Sequence, residues 1–224
     1  MKILVAFLCL MPAYAQSLHY AINWPGGATL GEASLGAQSS SSTTAGTATS
    51  WQFNLDVDAS IPGFTIRDQY HSKADANLCT IEVDKNYQHG TRKADEKIAV
   101  DQASHSATRT PQGGTAAAPF TVGSCARDPL TFLQFVRNEL AQGRIAAGES
   151  LIFGSVYNVG LANTGAEPVR MGAKVVPADR ISVSVQGPAT ALTVEILFAQ
   201  DAARTPVLVR IPLSMGVFTA DLVQ

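Results

Sequence analysis

The 224-residue chain is poor in charge, in aromatic rings and in cysteine. Only 15% of its residues are charged, and the formal net charge is −2. A near-neutral balance without a basic run excludes nucleic acid or an anionic membrane surface as the main partner. Aromatic residues make up 7%, too few for the two girdles of a large outer-membrane barrel. The sequence contains no H-E-x-x-H, no G-x-S-x-G and no C-x-x-C, so the common zinc, serine-nucleophile and dithiol signatures are missing. His19, His71, His89 and His105 lie in four separate stretches without metal-ligand spacing. No metal and no cofactor is expected. Gly26-Gly27 and Gly113-Gly114 do not lead into helical patterns, so they read as turn glycines, not phosphate loops. Asp56, Asp58, Glu82, Asp84, Asp95 and Glu96 read as solvated strand faces or a turn. No catalytic residue stands out, and a non-enzymatic role is expected.

Long apolar runs are also scarce. The one such run, Ile3 to Met11, follows Lys2, stops at Pro12 and leads into Ala13-Tyr14-Ala15. That is the order of charged start, apolar stretch and small-residue cleavage site in a secretory signal. It is too short to span a bilayer, which takes about 20 residues. Residues 1–15 are therefore expected to be a cleavable signal peptide, and 16–224 a single β domain that is periplasmic or secreted. No transmembrane helix is expected in the mature chain. Cys9 follows Leu8 rather than a small residue, which argues against lipid attachment. Removing the segment leaves Cys79 and Cys125 as an even pair in an oxidising compartment, where a structural disulfide is expected. The alternative is two buried free thiols.

What the chain does have is alternation. Leu18, Tyr20, Ile22 and Trp24 alternate with polar or small residues, then Pro25-Gly26-Gly27 turns the chain. Trp51, Phe53, Leu55 and Val57 alternate with Gln52, Asn54, Asp56 and Asp58. Cys79, Ile81 and Val83 follow the same period, as do Ile181, Val183 and Val185, and Leu192, Val194, Ile196 and Phe198. Period two marks half-buried strands. Leu151–Leu161 and Val169–Val176 flank Asn163-Thr164-Gly165, which reads as a turn. Residues 38–50 and 111–119 read as loops, the first as a loop or the frayed ends of two strands. Lys85–Lys97 reads as a solvated hairpin end, and Asp201–Arg204 as a turn with a local Arg–Asp pair. The total is about a dozen strands in an antiparallel meander.

One stretch breaks the period. Asp128-Pro129 offers an N-cap residue and a proline at the first helical position. Leu130, Leu133, Val136 or Arg137, and Leu140 recur at helical spacing, and Gly143 stands where a terminating glycine belongs. An amphipathic helix over 129–142 is expected, covering one face of the sheet or plugging the mouth of a curved one.

Several segments together carry a resemblance. Tyr20-x-Ile22-x-Trp24, Gly31-Glu32-Ala33, Asp128-Pro129-Leu130 with Arg137 and Leu140, Asp201–Val207, and Gly216–Leu222 resemble the bacterial envelope family called domain of unknown function 3108. The resemblance spans nearly all of the mature chain. It implies an exported protein with a large curved antiparallel sheet, or half-open β-barrel, and a helix against it, reminiscent of periplasmic lipoproteins and lipid carriers. It carries over no functional residues. The family's helix commonly has tyrosines where this chain has Phe132 and Phe135.

A curled sheet of a dozen strands encloses more room than its side chains fill. The leading expectation is thus a non-enzymatic periplasmic binding or carrier module for an apolar, lipid-like ligand. Its groove would be lined by Trp51, Phe53, Leu55, Phe132, Val194, Ile196 and Phe198, although each of these also reads simply as core. The alternative is a structural or assembly factor of the cell envelope that binds a protein partner. An outer-membrane barrel and a secreted hydrolase have less in their favour.

Overall fold

A computed structural model describes residues 15–41, 49–61, 63–188 and 191–223. The expected signal segment, except Ala15, lies outside the described residues, as do Pro62 and 42–48 of the first expected loop. The strands are β1 (Ala15–Asn23), β2 (Thr29–Ser41), β3 (Thr49–Ile61), β4 (Phe64–Ala74), β5 (Thr80–His89), β6 (Arg92–Asp101), β7 (Ser106–Pro111), β8 (Phe120–Thr121), β9 (Glu149–Ile152), β10 (Val156–Met171), β11 (Lys174–Gln186), β12 (Ala191–Ala199), β13 (Pro206–Leu213) and β14 (Gly216–Val223). Among the described residues one helix, α1 (Pro129–Ala141), interrupts them.

All fourteen strands form one sheet in the order β8-β7-β6-β5-β4-β3-β2-β1-β14-β13-β12-β11-β10-β9. Every neighbouring pair is antiparallel. This is the large curved antiparallel sheet with one helix that the sequence leads one to expect. Two meanders, β1–β8 and β9–β14, join side by side through β1 and β14. Helix α1 connects the two outer edges, β8 and β9. The sheet is not closed, but its edges come near each other. The Ile152 amide donates to the Arg127 carbonyl at 2.8 Å. Apolar residues of both edges share one core there, with Ile152 packed among Val83, Ile98, Val100, Ala107 and Val122. Right-handed strand twist accumulates over so many strands and rolls the sheet. Bulges at Ile22/Asn23, Lys73/Ala74, Asn163/Gly165 and Leu197/Phe198 sharpen the roll.

The third of these bulges corrects a reading of the sequence. Asn163-Thr164-Gly165 is not a turn: β10 runs straight through it to Met171, and the chain reverses at Gly172. Asn163 Oδ1 accepts the Gly165 amide at 2.8 Å, and Gly165 takes φ +126°. The same residues that favour a turn favour a bulge, because both need a positive φ and a local side-chain cap. Past the bulge, Val169 and Met171 pack with Leu197, Val207 and Leu208 in a core of their own. Glu167 reaches Arg210 on β13 there.

The approach of β2 to β3 is unusually close at Gly31. A Cβ built there would lie 2.0 Å from the Asp58 carbonyl oxygen and 2.5 Å from Ala59 Cα. Gly31→Ala is therefore expected to cost about 1–3 kcal/mol by forcing backbone apart in the middle of the sheet. A chemical denaturation midpoint equal to that of the parent would refute this.

Candidate functional site

The helix is built as its sequence predicts. Asp128 is the N-cap, Pro129 stands in the first turn, and Gly143 ends it at φ +72°. The last helical residue is Ala141, with Gln142 as the C-cap. Asp128 does more than cap. Its carboxylate accepts the Leu130 amide at 2.8 Å and the hydroxyls of Ser72 at 2.5 Å, Thr80 at 2.7 Å and Thr131 at 3.0 Å. All four groups are buried. A second departure from simple alternation lies beside it. At the start of β5, Thr80 is buried and Ile81 is 48% exposed, because the bulge opposite Lys73/Ala74 leaves Ile81 without a partner on β4 and shifts the inward position to Thr80. Cys79 and Cys125 form the expected disulfide, with Cα atoms 4.6 Å apart. It lies one residue before β5 and four before α1, so it fixes the same joint. Arg127 completes that joint through paired 2.7 Å contacts with the Glu149 carboxylate, its guanidinium stacked 3.9 Å over the Phe135 ring.

The far half of the helix is held by residues that carry the family resemblance. Arg137 is buried. Its Nε donates to the Ala203 carbonyl at 3.0 Å and its Nη2 to Gln16 Oε1 at 2.7 Å. The Tyr20 hydroxyl donates to the Pro206 carbonyl at 2.8 Å. Asp201 shapes this loop by accepting from the Thr205 amide at 3.0 Å and hydroxyl at 2.8 Å. The expected Arg–Asp pair within the loop does not form. Arg204 instead reaches Asp179 on β11 at 2.7 Å. The helix thus crosses one end of the rolled sheet, from β4 and β5 to β1 and the loop before β13.

Between α1 and β9–β12 lies a cavity of about 570 Å³. Its walls are apolar almost throughout: Leu130, Phe132, Leu133 and Val136 from the helix, Leu151, Phe153, Val159, Leu161, Val183, Val185, Leu192, Ile196 and Phe198 from β9–β12, and Leu55 from β3. Tyr157 brings the one phenol on this wall. Of the seven expected lining residues, Leu55, Phe132, Ile196 and Phe198 line this space. Val194 packs against the adjoining core. Trp51 and Phe53 stack on each other, with ring centres 5.7 Å apart, in an adjoining core with Leu78 and Leu130. Period two gave their face correctly but not their place along the strand. A second hollow, of about 500 Å³ with Glu32, Asp56, Asp58 and Arg67 in its walls, lies on the opposite, polar face of β2–β4.

Beside the apolar cavity sits a polar group that the sequence reading placed in solvent. Leu55, Tyr70, Lys85 and Glu96 are successive cross-strand partners on β3, β4, β5 and β6. Directly opposed residues share a face, so all four point inward. Lys85 and Glu96 are 6% and 4% exposed and bridge at 2.8 Å. The reading of Lys85–Lys97 as a solvated hairpin end is therefore corrected: only its tip near Gly90 is a turn. Lys85 falls in phase with Val83, and Glu96 with Ile98 and Val100, which is the signal that marks them as inward. Arg109 also bonds Glu96. Lys85 Nζ lies 3.9 Å from the centre of the Phe153 ring, itself part of the cavity wall.

Burial pushes the Glu96 carboxyl up, but the Lys85 ammonium and the Arg109 guanidinium outweigh it and hold it below the usual carboxylate range. A carboxylate depressed in the folded state adds stability above its unfolded value of about 4.3 and loses it as pH falls. Glu96→Gln should therefore be less stable than the parent at neutral pH, with the two melting curves converging below about pH 4. Parallel Tm-versus-pH profiles would show that Glu96 adds no linkage.

Among solved structures, the chain is similar to a β-barrel-like protein of domain of unknown function DUF1849 from Brucella abortus. The two are 10% identical with a TM-score of 0.57, over 96% of this chain and 97% of that one. This shows a shared fold. The lipoprotein LppX of Mycobacterium tuberculosis aligns at 14% identity and a TM-score of 0.28, over 92% of this chain and 84% of that one. No curated protein matches the chain. The model of the family described as "Protein of unknown function (DUF3108)" matches residues 17–223, and the chain belongs to that family.

Proposed function

We propose that this protein is a non-enzymatic binding or carrier module of the cell envelope that takes an apolar, lipid-like ligand between α1 and β9–β12. The carrying observation is the cavity of about 570 Å³ with near-continuous apolar walls. Its size falls in the range of about 300–1,000 Å³ typical of small-molecule sites. Export is part of the proposal. The signal-like order of residues 1–15 supports it, and so does the Cys79–Cys125 disulfide, a bond that persists in oxidising compartments.

The outer face weighs against a membrane-spanning barrel. His19, Ser34, Asp56, Gln69 and Asn86 are successive cross-strand partners on β1–β5, facing away from the core. A lipid-facing band would be apolar there.

The test is organic extraction of the purified protein followed by mass spectrometry, together with titration by a fluorescent fatty acid. Co-purified lipid, or saturable binding that Leu192→Trp abolishes, supports the proposal. Leu192 is a half-buried wall residue, so the larger ring fills space with limited strain. An empty protein that binds no apolar probe overturns it.

A further inference from the structure

Building on the proposed carrier role, we infer that the ligand has an acidic head group, which sits at the Phe153 end of the cavity and is recognised by Lys85 with Arg109. The inference rests on where the charges lie relative to the apolar wall. Leu55 belongs to the cavity, and Tyr70, Lys85 and Glu96 continue its row across β4, β5 and β6. Adjacent strands are about 4.8 Å apart, so Lys85 on β5 stands two strands from Leu55, and a head group extending from the apolar wall past Phe153 would meet it. Phe153 belongs to both regions: it lines the cavity, and its ring centre lies 3.9 Å from Lys85 Nζ. Gly154 follows it at φ +85°, and a Cβ there would lie 3.4 Å from Lys85 Nζ and 3.3 Å from Glu96 Oε1. The backbone thus passes close over the pair without a side chain to cover it.

The charges do not cancel. Two cations, Lys85 and Arg109, share the single carboxylate of Glu96. Lys85 has three N–H donors; among the described residues it donates to Glu96 and lies over the Phe153 ring. Asp68, in phase with Tyr70 on β4, is engaged by the His89 ring nitrogen at 2.9 Å. Counted over the three groups, one positive charge remains, with donor capacity on the Lys85 ammonium and on the half-exposed Arg109 guanidinium. A carboxylate or phosphate on an acyl chain satisfies both halves. A neutral lipid makes no use of that charge.

The experiment compares pyrenedodecanoic acid with its methyl ester at about pH 8, where the acid is ionised. The acid is expected to bind at least about tenfold more tightly, the worth of one charge-assisted hydrogen bond. In Lys85→Met/Glu96→Gln the preference should fall to within about twofold while ester affinity holds. Arg109→Gln, at a side chain 45% exposed, should narrow it in part and serves if the double variant does not fold. Equal binding of acid and ester by the parent overturns this inference and leaves the carrier role standing. Failure to bind either overturns the carrier role itself. Pyrene-labelled phosphatidylglycerol and phosphatidylcholine vesicles distinguish the source. Uptake of the first alone assigns the group to a phospholipid phosphate, and uptake of the free acid alone assigns it to a fatty-acid carboxylate.

Discussion

Asp128→Ala should lower the stability of the folded chain by about 3–5 kcal/mol. Loss of an N-cap side chain costs about 1 kcal/mol. The larger part comes from the sheet. Ser72, Thr80 and Thr131 all direct hydroxyls at this carboxylate in a buried site. Each hydroxyl that finds no new acceptor adds about 1–3 kcal/mol. For a domain of this size, the total corresponds to a fall in Tm of roughly 10 °C. Asp128→Asn keeps an acceptor and should lose less than half as much. Because the helix forms one wall of the cavity, probe binding should weaken with it. A thermal melt and a ligand titration on the same samples check both. An alanine variant within 1 °C of the parent would show that the helix is held elsewhere.

The second large effect is expected from the disulfide. Cys79 and Cys125 are separated by 46 residues, and the chain-entropy model gives about 4 kcal/mol for a loop of that length. Cys79→Ser/Cys125→Ser should unfold at correspondingly lower denaturant, and reductant should move the parent to the same midpoint while leaving the variant unmoved. If reductant shifts neither protein, the bond adds nothing. The bond and Asp128 secure the same joint between β5 and α1. Their losses should therefore combine non-additively, as expected of groups with shared partners. Once the joint is free, the second deletion has less to undo.

The joint was partly legible in the sequence. Asp128-Pro129 and Gly143 marked the helix to within one residue, because cap chemistry is local. The pairing of two cysteines followed from their number. The hydroxyl cluster around Asp128 was not legible, since Ser72 and Thr80 lie some fifty residues away and look like ordinary strand polar positions. Strand alternation gave the fold class and most of the faces, Ile81 being an exception. It misplaced Trp51 and Phe53, because a period fixes direction and says nothing of height within a rolled sheet. It also passed over Lys85 and Glu96, whose charge was taken to mean solvent although both keep step with buried neighbours. Asn163-Thr164-Gly165 failed for a different reason. Its residue types suit a bulge as well as a turn, because both use a positive φ and a local side-chain cap.

The order of the strands has a consequence for how the molecule comes apart. Chain ends usually fray first. Here β1 and β14 lie next to each other in the middle of the sheet, with His19 opposite Val223 and Ala21 opposite Asp221. The free margins are instead the two-residue β8 and the four-residue β9, both in the interior of the sequence. Loosening is therefore expected to begin at these two margins beside the helix, in mid-sequence, and native-state hydrogen exchange should find the amides of β1 and β14 among the slowest.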